Sequence, residues 1–155
     1  MDLTINFENK KRLNIRVGAI IEHNGRYLVY RDNHANYEYF IGGRVQLNES
    51  SLEAIHREIV EELNEEVDVE RLLFLTENFF FEETLALNYH ELGYYYLVHL
   101  PATSRYLRSD TTLFPNSCEV KWVTLEHEVM PNEIFKHIKE HGIEKNINHL
   151  IFRDK

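Results

Sequence analysis

The chain has 155 residues, 43% hydrophobic and 28% charged, and a formal net charge of -9. That length suits a single domain burying roughly two-thirds of its unfolded surface, and the balance of apolar and charged residues excludes a disordered chain. The net acidity disfavours nonspecific binding to nucleic acid, which needs a basic footprint, and no apolar run approaches the ~20 residues of a membrane-spanning helix. The N-terminal segment lacks the apolar stretch of a signal peptide, so none is expected. Cys118 is the single cysteine and cannot form an internal disulfide. It is read as a structural thiol in a reducing, cytoplasmic setting.

In chain order, Leu13–Glu22 and Gly25–Asp32 have strand composition and meet at Asn24-Gly25, a type I′ hairpin signal. Tyr39, Phe40 and Ile41 lead into Gly42-Gly43. A helix is expected from about Ser51 to Asn64, since Ser50 and Glu53 have the spacing of a capping box. Val67–Phe81, Leu92–Leu100 and Val120–Leu125 read as strands, with Glu91 placed in a loop between two of them. Pro131 opens a second helix, with Ile134, Phe135 and Ile138 on one side and Gly142 ending it. The tail, Ile147–Phe152, fits strand or helix. Strands and two helices without a regular βαβ alternation imply an α/β fold with a mixed sheet. No linker or repeat interrupts the chain, so residues 1–155 are read as one domain.

The first helix concentrates the acidic residues. At about 100° per residue, Leu52, Ile55, Ile59 and Leu63 form an apolar stripe. Glu58, Glu61, Glu62 and Glu65 form an acidic arc beside it. Like-charge pairs at i, i+4 oppose an isolated helix by only about 0.2–0.5 kcal/mol each, which a solvated face tolerates. Beside a sheet the repulsion grows and a hard cation would relieve it. On composition and spacing alone, a solvated acidic face and a cation site stand about equal.

The segment Gly43–Glu65 resembles the Nudix box, G-x5-E-x7-R-E-U-x-E-E-x-G-U with U a bulky aliphatic residue. Gly43, Glu49, Arg57, Glu58, Ile59, Glu61 and Glu62 match in order. Asn64 replaces the terminal glycine and should preserve a left-handed helix end. Glu65 replaces an aliphatic residue and adds a carboxylate to the arc. Ile41 stands where many members carry proline. The resemblance implies a Nudix-type α/β/α sandwich and Mg2+-dependent hydrolysis of a pyrophosphate bond, with Mn2+ as an alternative ion.

It further implies that Glu58, Glu61 and Glu62 ligate the metal, with the Gly43 carbonyl as a further ligand. Glu49 and Arg57 would form a supporting ion pair. Glu58 within the box and Glu91 outside it are the two candidates for the general base. Phe79–Phe81 and Tyr94–Tyr96 alternate across strands, so a sheet-packing role is favoured over base stacking for any one of them. Arg16, Arg26, Arg31 and Arg44 could reach substrate phosphates, and the sequence does not rank them.

The subfamily markers are missing: the prolines are Pro101, Pro115 and Pro131, the first tyrosine after the box is Tyr89, and no SQPWPFP-like stretch occurs. The implied substrate is therefore a nucleotide-type small molecule, a nucleoside diphosphate linked to another moiety. A (d)NTP substrate and a non-catalytic ligand-binding module are the alternatives. Neither a membrane nor a nucleic-acid partner is expected, and a homodimer is left open.

Overall fold

In a computed structural model, residues 1–33, 36–108, 113, 115 and 118–154 are described. The strands are β1 (Thr4–Phe7), β2 (Lys11–Ile20), β3 (Glu22–His23), β4 (Arg26–Arg31), β5 (Glu38–Arg44), β6 (Asp68–Glu82), β7 (Leu87–His99), β8 (Glu119–Val123), β9 (Val129–Met130) and β10 (Asn148–Arg153). The helices are α1 (Ser51–Leu63) and α2 (Asn132–His141), with a 3-10 turn at Arg105–Leu107. The sheet order is β10-β6-β7-β2-β5-β4-β3, with β1 on β2, β8 on β4 and β9 on β5. It is mixed: β2–β7, β6–β10 and β5–β9 run parallel, and the other pairs antiparallel.

Successive strand residues point to opposite faces, and the core divides accordingly. Ala19, Leu28, Ile41 and Tyr96 join one apolar cluster with α1 residues Ala54, Ile55, Ile59 and Leu63. Their neighbours Ile20, Val29, Phe40 and Tyr95 join a second cluster with α2 residues Ile134, Phe135 and Ile138. One helix thus covers each face of the central strands, the α/β/α sandwich that the family resemblance implied. Ile55, Ile59 and Leu63 are fully buried, each contributing about 1.5–3 kcal/mol of burial.

Asn24 and Gly25 both have positive φ, as a type I′ turn requires. The ambiguous tail is strand β10, lying parallel to β6. Two expectations need correction. Leu52 is 46% exposed and leaves the buried stripe, where Ala54 takes its place; helical side chains lean toward the N-terminus, so a first-turn residue overhangs the sheet. Glu91 lies in a strand, because β7 begins at Leu87 and pairs with β6 up to Glu82. Cross-strand ring contacts hold this outer part of the hairpin: Phe80 stacks on Tyr89 at 4.8 Å and Phe79 on His90 at 4.4 Å. The reversal itself spans 83–86, where the Glu82 carboxylate accepts from the Thr84 and Leu85 amides.

Candidate active site

Helix α1 is held at both ends. The Ser50 hydroxyl accepts from Glu53 N while the Glu53 carboxylate accepts from Ser50 N, the reciprocal box foreseen in the sequence. Asn64 ends the helix in the left-handed conformation, φ 56°, and donates its N–H to Val60 O. No basic residue occupies the last turn. The Leu63 carbonyl instead accepts from Arg105 Nη2 at 3.1 Å and from Tyr106 Oη at 2.8 Å. Glu65 does not extend the acidic arc: its Oε1 accepts from Arg105 N at 3.0 Å, which turns it toward that same segment.

Arg57 organises the start of the site. Its Nε and Nη2 donate to the two oxygens of Glu49 at 2.7 and 2.9 Å, a bidentate pair, and Nη2 also donates to Arg44 O at 3.0 Å. Nη1 donates to Glu58 Oε1 at 2.9 Å and makes longer contacts to Glu61. These bonds, that to Glu49 foremost, hold Arg57 firmly charged and the Glu49 carboxyl below its ordinary range. The Gln46 backbone amide donates to Glu49 as well, so the loop between β5 and α1 is braced on the residue that Arg57 grips.

Glu58 and Glu62 project toward the Gly42-Gly43 corner of β5. A Cβ on Gly43 would collide with the Glu58 carboxylate, so glycine there makes room for the acid. The Glu58 side chain is only 13% exposed, and burial raises its pKa despite the opposing pull of Arg57. Glu62 accepts from Gly42 N at 3.1 Å and lies beside the Tyr30 hydroxyl. Burial first, and then repulsion from Glu58, push its pKa up to about 8. Glu61 differs: its side chain is 57% exposed and rests against Arg57.

Arg16 on β2 links this corner to a cleft. Burial works against its charge, but Tyr95, Glu91, Tyr30 and Glu62 together outweigh it and keep the guanidinium protonated. Its Nη2 donates to Phe40 O at 3.3 Å, and the guanidinium lies 5.7 Å from the Tyr39 ring centre. The cleft, about 540 Å3, is lined by Arg16, Tyr37, Tyr39, Phe80, Glu91 and Tyr95, with Asn132 and Glu133 from the first turn of α2. That volume is within the range of small-molecule sites. Glu91 is fixed there by Asn14, whose Nδ2 donates to Oε2 at 2.7 Å. Of the four arginines considered, only Arg16 lines the cleft; Arg44 lies 3.8 Å from Asp2 instead.

Tyr30 and Asn14 were not anticipated. Asn14 could have been: Arg12, Asn14 and Arg16 alternate with Leu13, Ile15 and Val17, and a buried polar residue on such a face marks a function beyond packing. Tyr30 carried no comparable signal.

The NUDIX domain family model matches residues 12–142. The chain belongs to the Nudix family. No curated protein matches it. Among solved structures, this Nudix protein is similar to an ADP-ribose pyrophosphatase from Streptococcus suis, at TM-score 0.62 and 13% identity over 90% of this chain and 98% of that one. It is also similar to a MutT protein from Methanosarcina mazei, at TM-score 0.61 and 19% identity over 90% and 100% of the two chains. A UDP-X diphosphatase aligns at TM-score 0.60 and 16% identity over 88% of this chain and 66% of that one. At these identities the likeness speaks for the fold, whereas the family match marks the chain as a Nudix hydrolase, of a family that acts on pyrophosphate bonds.

Nudix hydrolases generally use divalent metals. Among the described residues, no three His, Cys, Asp or Glu side chains already converge as a cation site. The donor set nonetheless fits a hard cation. Glu58 and Glu62 are two desolvated carboxylates repelling one another, the situation that a dication relieves, and the exposure of Glu61 permits the side-chain rotation that would add a third.

Proposed function

We propose that this Nudix hydrolase cleaves the pyrophosphate bond of a nucleoside diphosphate linked to another moiety, and that residues 1–155 act as one catalytic domain. The carrying observation is the desolvated Glu58–Glu62 pair joined through Arg16 to a cleft that also holds Glu91. Glu58, Glu61 and Glu62, with the Gly43 carbonyl, would hold Mg2+ or Mn2+. The ion supplies charge neutralisation of the diphosphate and a site for an attacking water.

The chain's own residues do the rest. Glu49 and Arg57 lock the loop on the helix and so keep Gly43 beside Glu58. Arg16 offers the cleft a fixed positive charge for a phosphate oxygen. Glu91, oriented by Asn14, is the general base in preference to Glu58, whose Oε1 is already bonded by Arg57. A proton leaving the attacking water would pass to Glu91 within the cleft.

The cleft's charge separates the candidate substrates. Arg16 is the single cation among its described lining residues, which include Glu82, Glu83, Glu133 and Asp154. A triphosphate chain would meet like charge along that rim, whereas a neutral sugar or nucleoside beyond the diphosphate would not. This favours a linked moiety over a (d)NTP. Retention of all the box glutamates speaks against a ligand-binding module. The lone, partly buried Cys118, whose thiol burial pushes up, fits a structural role in a cytoplasmic enzyme.

The test is product release from a panel of nucleotide sugars, dinucleotides and (d)NTPs with Mg2+. Turnover confined to linked diphosphates is the expected result. Faster turnover of (d)NTPs overturns the substrate class, and tight binding without turnover of any compound overturns catalysis.

A further inference from the structure

Helix α1 covers only part of its sheet face. Along β7 that face is packed against α1's apolar cluster as far as Tyr94. Beyond it, strand pairing places Leu92, Leu13, Ile5, Phe79 and Ile151 on one continuous surface five strands wide, from β1 across β2, β7 and β6 to β10. Phe7 and Phe81 extend it at the hairpin end. Ile5, Phe7, Phe81 and Ile151 are between 49% and 59% exposed. Several large apolar side chains sharing one open sheet face form a patch, unlike singly scattered ones. A groove of about 1160 Å3 runs along it.

We propose that this face is the seat of a second copy of the chain. Charge selects that occupant. The chain carries a net charge of -9, so most of its surface repels a copy of itself. This face is balanced: Lys11, Arg12 and Arg153 stand against Glu8, Glu77 and Asp154, and His149 is bonded to Glu77. A twofold axis along the strands sets the β1 edge of one copy over the β10 edge of the other, so that the apolar faces of the two sheets meet. Area agrees. Five strands at about 4.8 Å spacing, with two or three outward residues each about 7 Å apart, project roughly 400 Å2. Protruding rings raise the accessible area toward the ~800 Å2 per partner of a stable interface.

The surface is continuous with the candidate substrate cleft, since Phe81 and Asp154 line both. A second copy seated here also closes the outer end of the cleft, a consequence that rests on the cleft holding substrate.

The test is the mass of the full chain in solution, measured by sedimentation at micromolar concentration, with KM on the active substrate read separately. Wild type is expected at twice the 18.6 kDa chain mass. Ile151→Lys and Phe7→Glu, both at exposed positions, are each expected to give the single-chain mass with unchanged circular dichroism. Leu52→Lys, on exposed α1 surface, should remain dimeric. A monomeric wild type, or a dimer surviving both substitutions, overturns the proposal. KM rising several-fold in the two monomeric variants supports closure of the cleft; an unchanged KM overturns that closure and leaves the interface, which the masses decide, standing.

Discussion

Replacing Glu62 by glutamine removes a charge that the fold holds against its own preference. The carboxyl's pKa rises from an ordinary 4.5 to about 8. Its proton is therefore bound more tightly in the folded chain than in the unfolded one, and stability falls as pH climbs from 4.5 toward 8, levelling above that. At 1.36 kcal/mol per pH unit the ceiling is roughly 5 kcal/mol. Relaxation and water penetration around a buried charge bring the expected figure to about 2 kcal/mol. For a chain of this size that corresponds to roughly 4–8 °C in Tm. Thermal unfolding in EDTA should show Glu62→Gln more stable than wild type at pH 8.5 and equal to it near pH 4.5. With Mg2+ the order should close or invert, because only wild type gains the ion, while kcat of the variant drops by orders of magnitude. Equal melting in EDTA at pH 8.5, or equal stabilisation of both proteins by Mg2+, refutes the reasoning.

Three further outcomes follow from the geometry. Glu91→Gln is expected to lower kcat about 100-fold with an unaltered Mg2+ requirement; steady-state kinetics showing unchanged kcat would return the base to Glu58. Arg57→Lys cannot make the bidentate bond to Glu49 or reach Arg44 O and Glu58 together, so chemical denaturation should show a loss of about 2 kcal/mol and turnover should fall. Asn64→Val should destabilise by about 1–2 kcal/mol, because a β-branched side chain opposes φ 56°, whereas Asn64→Gly should stay within about 0.5 kcal/mol in the same assay.

Much of the fold was legible because local and global signals agree. Alternation in β2, the Asn24-Gly25 turn and the Ser50/Glu53 box each specify geometry within a few residues. The reading was weakest where a partner far along the chain decides the outcome. Glu91 lies in a polar stretch that looks like a loop, and becomes strand only because Phe80 and Phe79 stack on Tyr89 and His90 across the hairpin. Glu65 counts toward the acidic arc on a helical wheel, yet Arg105 N, forty positions later, draws it away. Tyr30 reaches Glu62 through the fold alone. The box shows which acids matter; their unequal burial, from Glu62 to exposed Glu61, is a property of the sheet beneath.

The carbonyl end of α1 has one more implication. Because Arg105 and Tyr106 grip Leu63 O from a segment outside the box, the acid-bearing helix is moored like a boat with its stern line tied to another quay. Severing or lengthening the chain near Ser104 would let that end swing while every motif residue stayed intact. Loss of activity would then arise from a change that no inspection of the motif could foresee.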